Sequence, residues 1–202
     1  LRRLPDDASN LVHLHAASDW SLRRKLRLAA VCKAPVVLHL HRGDTARWLG
    51  ASAKRARRIR SAIQRHVDAV VVLDMAWKDV LEPMIGPVEI VPNPIHPMHR
   101  PAEGGQQEGE RLLVMGRDAA VKRRDFALDV LASVRQQWPS VHLHLTGGQP
   151  LEGDGWTCHG WLSEAERLAL LHNRSAVLLP SRFEGQPLAA LEALACGVPV
   201  IA

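Results

Sequence analysis

Short continuous apolar runs and longer stretches of helical spacing alternate along the chain. Residues 11–14 (LVHL) are the first apolar run. Residues 19–33 follow with the period of a basic amphipathic helix, its apolar part made of Trp20, Leu22, Leu26 and residues 28–31. Pro35 ends that stretch, and residues 36–40 read as a strand closed by the polar turn His41, Arg42, Gly43, Asp44. A strongly basic helical stretch runs from about Thr45 to His66, with a break at Gly50. Residues 69–73 (AVVVL) are a continuous apolar strand, residues 75–84 a short helix closed by Pro83 and Gly86, and residues 88–91 a strand ending at Pro92-Asn93-Pro94.

The periodicity lapses over residues 97–110 (PMHRPAEGGQQEGE), which carry two prolines and three glycines and read as an interdomain linker. The alternation then restarts. Residues 112–115 are a strand, and residues 124–137 a helix with Phe126, Val130, Leu131 and Val134 on one face and Pro139 at its end. Residues 141–145 are a strand ending in Thr146-Gly147-Gly148. Ser163 and Glu166 form a capping-box pair that starts a helix to about Asn173. Residues 176–179 are a buried strand closed by Pro180, followed by a polar turn with Gly185 and a helix from about Pro187 to Gly197. On that helix Leu188, Leu191 and Ala195 share an apolar face, with Glu192 buried or half-buried beside them. Apolar strands spaced by helices predict α/β domains with parallel sheets covered on both faces and sites at the carboxyl edges of the strands. The expected division is an N-terminal domain over 1–96, a linker over 97–110 and a C-terminal domain over 111–202.

With 47% hydrophobic residues in 202, the chain can bury a core, and it has no run of the roughly 20 apolar residues that span a bilayer. No signal-peptide pattern opens it, so a cytoplasmic location is expected. Cys32, Cys158 and Cys196 are far apart and lack a C-x-x-C pair, which fits reduced core thiols. The chain begins at Leu1 and stops at Ala202 inside an apolar run, as a fragment of a longer protein would.

Charge changes this picture. The net charge is +5, and 13 of the 26 basic residues fall between Trp20 and Val67, where Asp44 is the single acid. Such asymmetry implies an anionic partner. No nucleic-acid-binding signature accompanies it, which leaves peripheral contact with an anionic membrane surface or a solvated face.

The chemistry concentrates in residues 176–202 (AVLLPSRFEGQPLAALEALACGVPVIA). Strand, turn and helix come in the order that makes an anion site, with unpaired N–H groups at the helix N-terminus and Glu184 and Glu192 separated by seven residues. A phosphate for the N–H groups and hydroxyls for the carboxylates together describe a sugar nucleotide. The pattern P-S-x-x-E-G-x-P-L followed by L-E-A-x-A-x-G-x-P-V-I-A resembles the retaining glycosyltransferases of the GT-B fold, family 4 (glycosyl transferases group 1).

The resemblance implies two Rossmann-like doubly wound domains facing a cleft, both incomplete in this fragment. It also implies a hexosyltransferase-like enzyme of polysaccharide biosynthesis. Such an enzyme would move a sugar from a nucleotide-diphosphate sugar to an acceptor hydroxyl, on a sugar or a lipid-linked acceptor, without metal and without another cofactor. Glu184 would contact hydroxyls of the donor sugar, and Glu192 the ribose. The turn residues Gly185, Gln186, Pro187 and Leu188 complete the site by the same resemblance. Gly116 and Arg117 stand at a strand end with Lys122 five residues on, and the family uses an arginine and a lysine at this spacing to hold the departing diphosphate, a charge that others supply with a metal on an Asp-x-Asp pair. Arg123 and Arg124 follow where a glycine or small residue is usual. His41 occupies the strand-end position of a histidine facing the donor sugar, Gly147 and Gly148 would keep side chains out of the cleft, and Gly160-Trp161 lies where the base packs.

Three H-x-H pairs, His13/His15, His39/His41 and His142/His144, each share a strand face on which zinc would fit. Three repeats in three predicted strands fit alternation better than three metal sites, so no metal is expected. No G-x-S-x-G elbow points to a hydrolase. Two other readings remain: a GT-B-fold sugar-nucleotide 2-epimerase, which would act on donor alone, and a non-catalytic basic module docking on membranes, which would bind no nucleotide diphosphate.

Overall fold

The computed structural model describes residues 10–41, 44–103 and 110–202. Arg42 and Gly43 of the predicted polar turn, and residues 104–109 of the predicted linker, lie outside the described residues. The chain divides into two compact units, one ending at Asn93 and including Glu184–Gln186, the other comprising Pro94–Phe183 and Pro187–Ala202.

In the first unit the elements run β1 (Val12–Ala16), α1 (Asp19–Ala29), β2 (Val36–Leu40), α2 (Thr45–Gly50), α3 (Ala53–His66), β3 (Ala69–Val72), α4 (Met75–Ile85) and β4 (Glu89–Ile90). The four strands pair in parallel in the order β1-β2-β3-β4. Leu14, Ala16, Val36, Leu38, Leu40, Val70 and Val72 point into a core completed by Leu22, Leu26, Leu49, Ile59, Ile63, Leu81 and Ile85 of the helices. Residues of the other parity, among them His13, His15 and His39, lie on the opposite face, because side chains alternate along a strand.

The helix starts are set by side-chain caps. Ser18, Ser52 and Asp74 each accept a hydrogen bond from the N–H three residues on, at 3.1, 3.3 and 2.9 Å. Ser52 explains why the stretch from Thr45 to His66 is two helices: α2 ends at Gly50, and the serine recaps α3. Pro83, in contrast, does not close α4. The helix continues to Ile85 and stops at Gly86, whose φ is 101°. Proline's fixed φ is itself helical, and so near the C-terminus it forfeits only one hydrogen bond, while burial of Leu81 and Ile85 holds the last turn.

The second unit contains β5 (Arg111–Val114), a 3₁₀ turn (Ala120–Lys122), α5 (Arg124–Val134), β6 (His142–Leu145), β7 (Gly147–Gly153), β8 (Trp156–Gly160), α6 (Glu164–His172), β9 (Ala176–Leu178), α7 (Leu188–Ala195) and β10 (Val200–Ile201). The sheet order is β10-β9-β5-β6-β8-β7, parallel except for β7 against β8. Its two faces bury different side chains of the same strands. Val114 and Leu178 pack with Ala127 and Leu131 of α5, whereas Leu113, Met115 and Val177 pack with Leu171 of α6 and Ala193 and Cys196 of α7. This is a doubly wound unit. The capping box forms as the sequence predicts, with Ser163 N–H donating to Glu166 Oε2 at 2.8 Å and Glu166 N–H to Ser163 Oγ at 3.3 Å.

Two expectations are corrected here. The β7–β8 hairpin is absent from the sequence reading, although Asp154-Gly155 between its strands is a two-residue turn signal, with Gly155 at φ 73°. The buried face of α7 is Ala189, Ala193 and Cys196 rather than Leu188, Leu191 and Ala195; Leu188 is 48% exposed. The small side chains on that face share a buried cluster with Leu113 of β5 and Val177 of β9.

Candidate functional site

At the carboxyl end of β5 the chain turns through Gly116, at φ 134°, whose N–H donates to Thr146 Oγ1 at 3.1 Å. The 3₁₀ turn then returns Lys122 to the same place. A Cβ on Gly116 would sit 3.4 Å from Lys122 Cε and 3.7 Å from its Nζ, so the lysine stem lies along the bare backbone at the strand end. Arg117, beside it, is exposed. Arg182, after β9, donates its N–H to Val121 O at 2.9 Å, which brings a further exposed cation, unnoticed in the sequence, to this turn.

The two arginines that follow Lys122 have other employment. Arg124 reaches under the strand ends, donating from Nη2 to the carbonyls of Gly116 (3.0 Å), Gly147 (2.8 Å) and Thr146. Asp118 faces its Nε at 3.7 Å. Arg123 takes the left-handed conformation, φ 47°, ψ 51°, at the start of α5 and pairs with Asp125 at 3.0 Å. That conformation costs a non-glycine residue about 1–2 kcal/mol, which gives a physical reason for a small residue being usual at this place. Arg117, exposed, and Lys122, whose stem lies along Gly116, are the cations placed at the end of β5.

Pro187 precedes α7 at φ −68°, and Ala190 and Leu191 donate their N–H groups to its carbonyl at 3.0 and 3.2 Å. The open N–H end of such a helix is what a phosphate site uses. Glu192, one turn further in, is 7% exposed. Arg167 Nη1 of α6 donates to its Oε2, and His99 Nε2 lies 3.9 Å from its Oε1. The carboxylate therefore has a cation on one oxygen and an imidazole near the other, and a carboxylate's remaining lone pairs are open to hydroxyl donors. Neither Arg167 nor His99 was singled out from the sequence. His99 fell in the stretch read as linker, yet it is 8% exposed.

Glu184, Gly185 and Gln186 count with the first unit. Gly185 lies against His41, where a Cβ would come 2.6 Å from the histidine's carbonyl oxygen. Gln186 Oε1 accepts from the N–H of Asn93 at 2.6 Å, its carbonyl accepts from Asn93 Nδ2 at 2.9 Å, and its Nε2 donates to Leu73 O at 3.3 Å. The turn is thus fixed by backbone fit and amide hydrogen bonds. The His41 ring, half-buried, makes a 2.8 Å hydrogen bond through Nε2 to His15 Nδ1; burial first, then His15 and His13, hold it below its usual pKa. Trp161, just beyond β8, is 75% exposed and free to offer a ring face.

Residues 109–202 match the family model described as glycosyl transferases group 1. The sequence is 27% identical to glycogen synthase of Mycobacterium tuberculosis over 227 aligned positions, covering 100% of this chain and 54% of that protein. The chain thus spans about half the length of the curated relatives it matches. Among solved structures, TarM superposes with a TM-score of 0.72 at 18% identity, over 97% of this chain and 41% of that one. Alr3699/HepE from Anabaena, solved in complex with UDP and glucose, gives 0.71 at 17% identity over 94% and 58%. An S. aureus TarM mutant in complex with fondaparinux, alpha-GlcNAc-glycerol and UDP gives 0.67 at 20% identity over 83% and 36%. These likenesses establish the fold, α/β with Rossmann-like units of the GT-B class, of which the chain spans part.

Proposed function

We propose that the chain is part of a retaining, metal-independent family 4 glycosyltransferase, hexosyltransferase-like, moving a sugar from a nucleotide-diphosphate sugar to an acceptor hydroxyl. The observation that carries this reading is the end of β5, where the Lys122 stem lies along the bare backbone of Gly116 beside the exposed Arg117. The match of residues 109–202 to group 1 glycosyl transferases supports it.

In the reaction, the bond between the anomeric carbon and the diphosphate oxygen breaks, and the acceptor oxygen bonds to that carbon on the same face. The acceptor's proton passes to the departing diphosphate. Arg117 and Lys122, with the N–H end of α7, stabilise the charge that develops on the leaving group. Glu192 reads the ribose, Glu184 holds donor-sugar hydroxyls without acting as a nucleophile, and His41 faces the donor sugar. Trp161 borders the base. The neighbours solved with UDP support a nucleotide diphosphate as the common part of the donor. The acceptor is a sugar or a lipid-linked acceptor, met in the cytoplasm or at the inner face of the membrane. No helix among the described residues is long and apolar enough to cross a membrane.

Arg117→Ala and Lys122→Ala, each in the full protein, are expected to lower turnover by about 10²-fold or more, the scale for losing a preorganised charge. Steady-state transfer assays check this, and turnover within a factor of about two of the parent for both variants would sink the assignment. Transfer should persist in EDTA; loss restored by manganese overturns the metal-free mechanism.

A further inference from the structure

Two of the H-x-H pairs, harmless when taken one strand at a time, meet across neighbouring strands. β1 and β2 are parallel with His15 in register with His39, so His13, His15 and His39 project from one face. Their rings cluster: His13 to His15 at 4.1 Å between centroids with planes tilted by 37°, His13 to His39 stacked at 5.5 Å with 3° between planes, and His15 to His39 at 5.4 Å tilted by 33°. One ring nitrogen from each of the three lies within 4.8 Å of the others.

We propose that His13, His15 and His39 form a binding site for a divalent cation of the zinc class. The strongest support is His39. It is 6% exposed, and neither of its ring nitrogens has a hydrogen-bond partner. A buried imidazole without hydrogen bonds forgoes the solvation it would have in water, and a metal ion is one group that would satisfy it.

Three imidazoles are a ligand set suited to zinc, copper or nickel rather than magnesium or calcium. Tetrahedral zinc with Zn–N bonds near 2.0–2.1 Å needs ligand nitrogens roughly 3.4 Å apart. The present spacing, within 4.8 Å, would have to close by that difference, and His13, exposed and outside the His15–His41 hydrogen bond, is the ring placed to rotate. The hydrogen bond between His15 Nδ1 and His41 Nε2, 2.8 Å, supplies the outer support that metal-binding histidines use. When His15 donates its Nδ1–H there, its Nε2 lone pair is left for the ion. Three protein ligands leave a fourth position open. The site stands on the first unit's own strands, and its three ligands take no part in the transfer chemistry proposed above, which it meets only through the hydrogen bond from His15 to His41.

Cobalt(II), a coloured stand-in for zinc, tests it on the full chain purified without a histidine tag. One cobalt per chain is expected, with the visible absorption of a four-coordinate ion and displacement by zinc. His39→Ala and His13→Gln should each weaken cobalt binding by about tenfold or more, the scale on which even outer-shell changes act. His144→Gln, within the separate histidine group of the second unit, should leave it unchanged. Failure to take up one equivalent overturns the proposal, as does uptake indifferent to His13→Gln or abolished by His144→Gln. Should His39→Ala fail to fold, His13→Gln, at an exposed position, decides alone.

Discussion

Gly147 stands where no side chain fits: a Cβ there would lie 2.7 Å from Gly116 O and 3.0 Å from Arg117 Cα, on a backbone at φ 73°. The sequence suggests only that glycine keeps a cleft clear, but the close partner is the neighbouring strand end that carries Arg117. Gly147→Ala combines a left-handed conformation with a backbone collision that cannot be relieved by rotating a side chain. It should destabilise the chain by about 2 kcal/mol or more, read as a drop in the urea midpoint; an unchanged midpoint would show that the strand ends part without cost. His144 sets a second residue-scale expectation. Burial first, then Arg174, His142, His159 and Arg111, lower its pKa from 6.5 to about 3, and its Nδ1 lies 2.8 Å from His159 Nε2. Above pH 6.5 it is neutral folded or unfolded. From pH 6.5 down toward 3 the unfolded chain takes a proton that the folded chain refuses, so stability falls as pH falls through that window. Urea midpoints measured from pH 6.5 to about 4 should decline less steeply in His144→Gln than in the parent, and equal slopes would remove His144 as a contributor.

Helix α7 turns Ala193, with Cys196 just beyond its end, inward and leaves Leu188 and Leu194 exposed, whereas hydrophobic spacing alone predicts Leu188, Leu191 and Ala195 as the apolar face. Ala193 is fully buried and Leu194 is 60% exposed. Ala193→Leu therefore inserts volume into a packed helix–sheet contact and should cost about 1–3 kcal/mol, whereas Leu194→Ala should stay within about 0.5 kcal/mol. Denaturant unfolding of the two variants separates these packings, and the opposite order would restore the outward face as the core. The difference shows what the sequence can and cannot tell. The order of strands and helices is legible because its signals are local: apolar runs such as residues 69–73, the capping pair Ser163 and Glu166, and Gly197 at the end of α7. The face that α7 buries depends on how closely the sheet lies, which periodicity does not encode. The pairing of Glu192 with Arg167, 25 residues away, and with His99 depends on tertiary packing in the same way. The β7–β8 hairpin was missed for another reason. Its turn signal was local, at Asp154-Gly155, but Gly147, Gly148 and Pro150 masked the strand before it.

At the scale of the molecule, charge is distributed by unit. The cations of the first unit gather on α1 and α3, where Arg23, Arg27, Lys54, Arg55 and Arg58 line a groove of about 790 Å³ whose floor includes Leu26 and Ile59. Arg23 and Arg55 lie over the Trp48 ring at 5.2 and 4.8 Å, so part of this charge is anchored by stacking rather than by acids, and neither helix α2 nor α3 has an acid in its first turn. Arg57, Arg58 and Arg60 are exposed on α3. A soluble acceptor gives no reason to concentrate cations in this way. An anionic membrane does, since each surface cation contributes on the order of 1 kcal/mol of attraction. The chain should therefore co-sediment with vesicles containing anionic lipid. Binding should weaken steeply with salt, because the attraction is screened over about 10 Å at 0.1 M. Changing Arg55, Arg57, Arg58 and Arg60 to glutamine should lower it by roughly three orders of magnitude, the product of four such contributions. Sedimentation with anionic vesicles no better than with neutral ones at low salt would leave these cations as a solvated face and favour a soluble acceptor.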